Sequence, residues 1–312
     1  MRVMLALGGN AMTGREGRVR PEDQIDAAKV AMAAVADLLT RPDPVDVVIT
    51  HGNGPQVGNL LVKNELAAAV VPPVPLDWCG AQTQATLGNI LLNALDDALH
   101  ARGATRPTAA LVTRTLVNPD DPGFAEPSKP IGRYLDEDEA RRMMEHGEVW
   151  QDRGEKGWRR MVASPVPVEI LEAPAVLALI EAGFVVVAAG GGGIPTVREE
   201  DGYRGVEAVI DKDLSAALLA VTVDADVLVI ATDVPYAVLG FGTPGAEPIG
   251  RTTVSRLEEH ARAGHFAGGS MGPKVEAAVG FVRRTGRTAV ITDLESIVDA
   301  VAGATGTVVV PG

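Results

Sequence analysis

Residues 184–195 read FVVVAAGGGGIP: six apolar positions in a row, then four consecutive glycines. A run that is apolar at every position, with no polar alternation, suits a strand buried on both faces of a mainly parallel sheet. Glycine at the carboxyl end of such a strand lets the chain turn sharply and presents bare backbone N–H groups to a ligand. The same grammar recurs upstream, where the run 3–7 leads into Gly8-Gly9-Asn10 and the run 45–50 leads into His51-Gly52-Asn53-Gly54. Further strand-like runs lie at 108–112, 227–231, 288–292 and 307–310. Helical patterns fill the intervals near 21–40, 54–69, 80–101, 172–182, 212–222, 254–263, 271–285 and 294–302. This alternation predicts an α/β fold, an open three-layer αβα sandwich around a mainly parallel central sheet. The chain reads as a single domain, 1–312, with an N-terminal half over 1–190 and a C-terminal half over 191–312.

One stretch breaks the rhythm. Between 118 and 165, 19 of 48 residues are charged, nearly double the 22% of the whole chain, and two of the three tryptophans (Trp150, Trp158) lie there. So charged a segment does not belong in the centre of the core. It reads either as a small protruding lid subdomain or as a plain surface insertion.

Composition removes whole classes of function. With 28 basic against 41 acidic residues the net charge is −13, which leaves no cationic excess to neutralise a phosphate backbone and argues against nucleic acid as a partner. The longest uncharged run, 78–95, carries too many Gln, Thr and Asn residues to sit in lipid, so no membrane association is expected. The single cysteine, Cys79, forms no internal disulfide, reads as a small buried apolar residue, and fits a reducing cytoplasmic location.

Lysine is scarce: six lysines stand against 22 arginines, and three of the six occur in motif-like strings, SKPIG (Lys129), DKD (Lys212) and MGPK (Lys274). A compact, rotatable ammonium differs functionally from a planar guanidinium, so its retention at these places points to chemistry. Asp211-Lys212-Asp213 precedes an apolar helical pattern and follows the strand-like 208–210; Asp211 there reads as a helix N-cap, and the two carboxylates would keep Lys212 charged and aimed. A fourth glycine string, 268–274, opens the helix that carries Lys274. Glycine loops with a helix N-terminus favour an anion, and phosphoryl transfer needs mainly positive charge around the moving group. Lys212 and Lys274 are placed to supply it from opposite sides. Neither the P-loop nor the dinucleotide fingerprint is present. Asp233 and Tyr236, after the run 227–231, read either as nucleotide contacts or as an ordinary turn; His51 reads either as a substrate ligand or as a packed imidazole, with Asn53 the better ligand. No Cys/His spacing suggests a metal site, so any metal would be Mg²⁺ carried on nucleotide phosphates.

Taken together, the strings LALGGNA (5–11), HGNGPQVG (51–58), SKPIG (128–132), GWRRMVASPVPVEILE (157–172), AGGGGIP (189–195), VIDKDLSAALLA (209–220) and GSMGPKVEA (269–277) resemble the carbamate kinases, a branch of the amino acid kinase family, over nearly the whole chain. The resemblance implies a homodimer that catalyses ATP + carbamate ⇌ ADP + carbamoyl phosphate with Mg²⁺, in arginine and carbamoyl phosphate metabolism. It places carbamate or carbamoyl phosphate on the N-terminal half at Gly8, Gly9, Asn10, Gly52 and Asn53, with Gly191 and Gly192 alongside. Nucleotide falls on the C-terminal half near Asp211, Asp233, Tyr236 and the loop Ser270, Met271, Gly272. Lys212 and Lys274 would flank the transferred phosphoryl, Asp213 would orient them, and Lys129 would arrive from a subdomain that closes over substrate. The pattern departs from the family at Ala163, at Ala85 and Asn89, and at Leu214-Ser215-Ala216. The competing readings are a sister kinase acting on another small carboxylate or a phosphonate, and a metabolite sensor without turnover.

Overall fold

The computed structural model describes residues 1–9, 20–266 and 270–312. Asn10 and the glycines at 268 and 269, singled out above, lie outside the described residues.

The fully apolar runs become the centre of an eight-stranded sheet in the order Thr252–Thr253, Thr307–Val310, Thr288–Asp293, Val227–Thr232, Arg2–Leu7, Asp46–His51, Val185–Val187 and Thr108–Ala110. Every neighbouring pair is parallel except Thr288–Asp293 with Thr307–Val310. Within the first strand the pleat sends Val3, Leu5 and Leu7 to one face and Met4 and Ala6 to the other, and each set enters a different core. Helices Pro21–Leu39 and Leu76–His100 cover the first face; Ala173–Glu181, Lys212–Thr222 and Met271–Thr285 cover the second. The fold is therefore a three-layer α/β sandwich around a mainly parallel sheet. Small residues let the layers close: Ala28, Ala31 and Ala36 of Pro21–Leu39 are buried, and that helix starts with Pro21 at its first turn followed by Glu22 and Asp23, favourable at the positive end of the helix dipole. Among the described residues no helix is long and apolar enough to cross a membrane.

A second sheet, Gly202–Gly205, Ile194–Glu199, Arg114–Val117 and Pro167–Ile170, leans on the first. The expected strand at 208–210 does not form. Only Ala208 bridges, to Ala163, and Val209 N–H donates to Ala163 at 2.9 Å; two residues on, Pro165 has no amide to continue a ladder. The charged stretch builds its own three-stranded antiparallel sheet, Lys129–Leu135, Trp158–Val162 and Val149–Asp152, beside the helix Glu137–Glu145. Its small core is Leu135, Ala140 and Trp150, with Met143, Met144 and Trp158 packed on it.

The two larger sheets meet at the glycine turn 189–193. Ala189 is left-handed (φ 52°) and so is Gly191 (φ 65°). Buried side chains hold the turn: Thr50 donates to the Ala189 carbonyl at 2.8 Å, Gln84 to that of Gly190 at 2.9 Å, and Thr115 and Ser215 both donate to that of Gly192, at 2.9 and 2.8 Å. Gly192 combines φ 93° with a backbone so close that a Cβ would stand 2.4 Å from the Ile210 carbonyl oxygen. Gly192→Ala is expected to lower unfolding free energy by roughly 2–4 kcal/mol, read by urea denaturation.

Candidate active site

Three neighbouring parallel strands end at one edge of the central sheet and release their loops into one cavity of about 1040 Å³. The loops stay in register with the sheet, since Gly52 N–H donates to Leu7 at 3.0 Å and Gly8 N–H donates to Ala231 at 2.8 Å. Ligands of open α/β sheets collect at such carboxyl ends. Gly52 is needed for the close approach: a Cβ there would lie 2.8 Å from the Gly9 amide and 3.2 Å from Cδ of Lys212.

The chemistry stands on the floor of that cavity. Helix Lys212–Thr222 starts with Asp211 as its N-cap, Oδ1 accepting from the Asp213 amide at 2.9 Å. The other oxygen of Asp211 accepts from Lys129 Nζ at 2.8 Å, which ties the first helical turn to the three-stranded sheet. One residue into the helix, Asp213 is 2% exposed, and its two oxygens are divided between two ammonium groups, Oδ1 to Lys212 and Oδ2 to Lys274 at 3.0 Å. Lys274, buried in the first turn of Met271–Thr285, reaches the carboxylate because helices Lys212–Thr222 and Met271–Thr285 pack side by side. Burial pushes the Lys212 ammonium below its ordinary pKa, the Lys274 charge pushes the same way, and Asp213 opposes both. Burial would raise Asp213, but the two cations outweigh it and hold its carboxyl below the usual carboxylate range. Each ammonium spends one donor on Asp213 and keeps two for a ligand. Two desolvated cations fixed by one carboxylate form a clamp for a multiply charged oxyanion.

Gly8, Gly9, Gly52, Asn53, Gly191 and Ser270 also line the cavity, with Lys129, Asp211, Lys212, Asp213 and Lys274. The Asn53 carboxamide lies over Gly191, and its Oδ1 is buried without a hydrogen-bond partner. Gly192 sits just behind this wall, turned into the second sheet. Asp233, Tyr236, Met271 and Gly272 are not part of the lining. Asp233 accepts from Thr232 Oγ1 at 3.0 Å, the Tyr236 hydroxyl lies 3.4 Å from Thr305 Oγ1, and Met271 packs against the core. Sequence reading missed Arg153 and Arg159, which reach the cavity from the three-stranded sheet and the turn beside it. In a chain with 22 arginines neither stands out by type; Arg159 falls inside the quoted string 157–172, and for Arg153 the local density of charge is the sign.

His51 ends its strand fully buried, its Nδ1 3.1 Å from the Gly52 carbonyl; a carbonyl only accepts, so Nδ1 carries the proton. Cys79 is buried in an apolar cluster with Val57, Leu61 and Leu76. Among the described residues no three His, Cys, Asp or Glu side chains form a cation cage. The two cavity aspartates are occupied by lysines, so this donor set does not fit a protein-held metal.

A model of the amino acid kinase family matches residues 1–293. The chain is 45% identical to the carbamate kinase of Thermococcus kodakarensis over 99% of both chains. It is 43% identical to the carbamate kinase-like protein YqeA of Escherichia coli, over 99% of this chain and 98% of that one. The structure of a carbamate kinase from Giardia lamblia bound to AMP-PNP superposes with a TM-score of 0.94 at 38% identity, covering 100% of this chain and 98% of the other.

Burial holds His51 neutral down to about pH 4, against 6.5 for a free histidine, with the Gly52 hydrogen bond opposing and the Lys212 charge assisting. The folded pKa lies below the unfolded one, so the stability present above pH 6.5 is lost as pH falls from 6.5 towards 4, by about 3 kcal/mol in all. Urea denaturation across that window should show the loss, and His51→Asn should remove this component of the slope.

Proposed function

Because the chain belongs to the amino acid kinase family, we propose that the buried Lys212–Asp213–Lys274 group performs reversible phosphoryl transfer between ATP and carbamate. The activity is that of a carbamate kinase, supported by full-length relatives bearing that name at 40–45% identity. A carbamate oxygen attacks the γ-phosphorus; a new O–P bond forms as the bond to the bridging oxygen of ADP breaks, and no proton need move. No general base is required, since the acceptor already carries an oxyanion. The enzyme's part is therefore position and charge.

In this reading Lys212 and Lys274 hold the equatorial oxygens of the phosphoryl from two sides, and Asp213 fixes the distance between them. The N-terminal half carries carbamate against the Gly8, Gly9 and Gly52 backbone, and the orphaned Oδ1 of Asn53 accepts from the carbamate N–H. Asn10 belongs to the same substrate group by its place in the sequence. The C-terminal half takes the nucleotide through Ser270 and the start of the helix that follows it. Asp233, Tyr236, Met271 and Gly272 flank that side and contact the adenosine end beyond the cavity. Mg²⁺ supplies charge neutralisation on the nucleotide phosphates when bound. The sheet around Lys129 acts as a lid, with Lys129 exchanging Asp211 for substrate.

The homodimer rests on an uncharged exposed stripe of helix Leu76–His100, where Trp78, Gln82, Ala85 and Asn89 follow one another at helical spacing. The lone buried Cys79 supports a cytoplasmic location, and the proposed reaction would place the protein in carbamoyl phosphate and arginine metabolism.

Formation of ATP from ADP, Mg²⁺ and carbamoyl phosphate tests the reading. Lys212→Ala should lower turnover by roughly 10²–10³-fold, the scale of losing one preorganised charge donor; near wild-type turnover would overturn the assignment. Lys129→Ala should raise the KM for carbamoyl phosphate more than the Kd for ADP, and equal losses would make the protruding sheet merely structural.

A further inference from the structure

Beside the main cavity is a smaller one of about 360 Å³, lined by Pro130, Tyr134, Arg153, Lys156 and Arg159. Three of its five lining residues are cationic, in a chain of net charge −13. Three other arginines of the same subdomain are neutralised: Arg133 by Glu65 at 3.0 Å, Arg141 by Glu137 at 2.5 Å, and Arg160 by Glu148 and Glu207 at 3.2 and 3.1 Å. Arg153, Lys156 and Arg159 have no carboxylate partner among the described residues. The nearby carboxylate of Asp152 is turned onto the Gly154 amide at 2.8 Å.

What the two arginines do contact leaves their hydrogen-bonding capacity unspent. Arg153 donates to the thioether sulfur of Met161 at 3.3 Å, a weak acceptor. Arg159 lies over the Tyr134 ring, 4.8 Å from its centroid, and donates to its hydroxyl at 3.2 Å, while its Nε is buried with no partner. A buried donor without an acceptor is costly, and a ligand oxygen would relieve that cost. The Tyr134 hydroxyl is driven below its ordinary pKa first by the hydrogen bond from Arg159, with the charges of Arg159, Lys156 and Arg153 adding, so the three cations converge on one place.

We propose that Arg153, Lys156 and Arg159 form a second anion site that takes a phosphate dianion at the entrance to the main cavity. Guanidinium forks match a tetrahedral oxyanion and the lysine adds a mobile point charge. Pro130, Arg153 and Arg159 line both cavities, so an anion held in the small one lies on the wall of the large one. Two sources share this chemistry: the phosphate end of carbamoyl phosphate on its way in, and free inorganic phosphate. The first rests on the proposed reaction; the site itself does not.

Calorimetric titration of the full chain with inorganic phosphate tests it. In Lys212→Ala, which weakens the main clamp, phosphate binding should persist. Adding Arg153→Gln and Lys156→Gln, both at exposed positions, should weaken it by about tenfold or more, the scale of one lost charge-assisted hydrogen bond. Unchanged affinity in the triple variant would overturn the site. The sources separate in ATP formation by otherwise native protein. Phosphate inhibition competitive with carbamoyl phosphate, relieved in Arg153→Gln/Lys156→Gln with a raised KM, identifies the substrate; relieved inhibition that is not competitive identifies free phosphate. Phosphate binding without any ATP formation would leave the anion site standing and overturn the reaction.

Discussion

A carboxylate shared by two ammonium groups is the constraint around which the site is organised. Asp213 is nearly inaccessible to water, and so are the lysines it joins. Removing one partner from such a group would leave an uncompensated buried charge, a far larger penalty than the pair's net contribution to stability. The arrangement is thus expensive as architecture and useful as chemistry. It keeps two cations close together against their mutual repulsion, in a largely buried place where water screens them little.

The fold supplies the means. Lys212 and Asp213 sit in the first turn of one helix and Lys274 in the first turn of its neighbour, so two helix N-termini and their unpaired amides converge on the carboxyl edge of the parallel sheet. On the opposite wall the glycine loops bring backbone, without side chains, to the same space. The turn 189–193 holds that wall in place through carbonyls bound to buried Thr50, Gln84, Thr115 and Ser215. Strain in the turn is thereby offset by hydrogen bonds from four separate elements.

Much of this is legible from residues alone, for identifiable reasons. The central strands are apolar on both faces, so runs such as 3–7 and 227–231 announce themselves, and the lysines stand out because arginine does most of the other cationic work. The second sheet was not foreseen. Arg114–Val117 and Ile194–Glu199 are short and mix Thr, Arg and Glu with apolar residues, and their partners are far apart in the chain. The apolar triplet 208–210 misled in the other direction: Ile210 is buried under the glycine turn, so its hydrophobicity reports packing and not pairing. Asp233 and Tyr236 follow the strand end as the sequence suggests but lie outside the lining of the main cavity, with the Tyr236 hydroxyl 3.4 Å from Thr305 Oγ1.

Asp211 has two duties at once, capping a helix with one oxygen and receiving Lys129 with the other. In formal charges, Lys212 and Lys274 are cancelled by Asp211 and Asp213, so the groups rooted in the sandwich itself add up to nothing. The third lysine arrives on a separate small sheet with its own core. The pocket's surplus of positive charge is therefore not supplied by the sandwich walls but by the small sheet that brings Lys129, and with the lid role proposed above for that sheet, the affinity of the pocket for anions becomes a function of where the sheet stands.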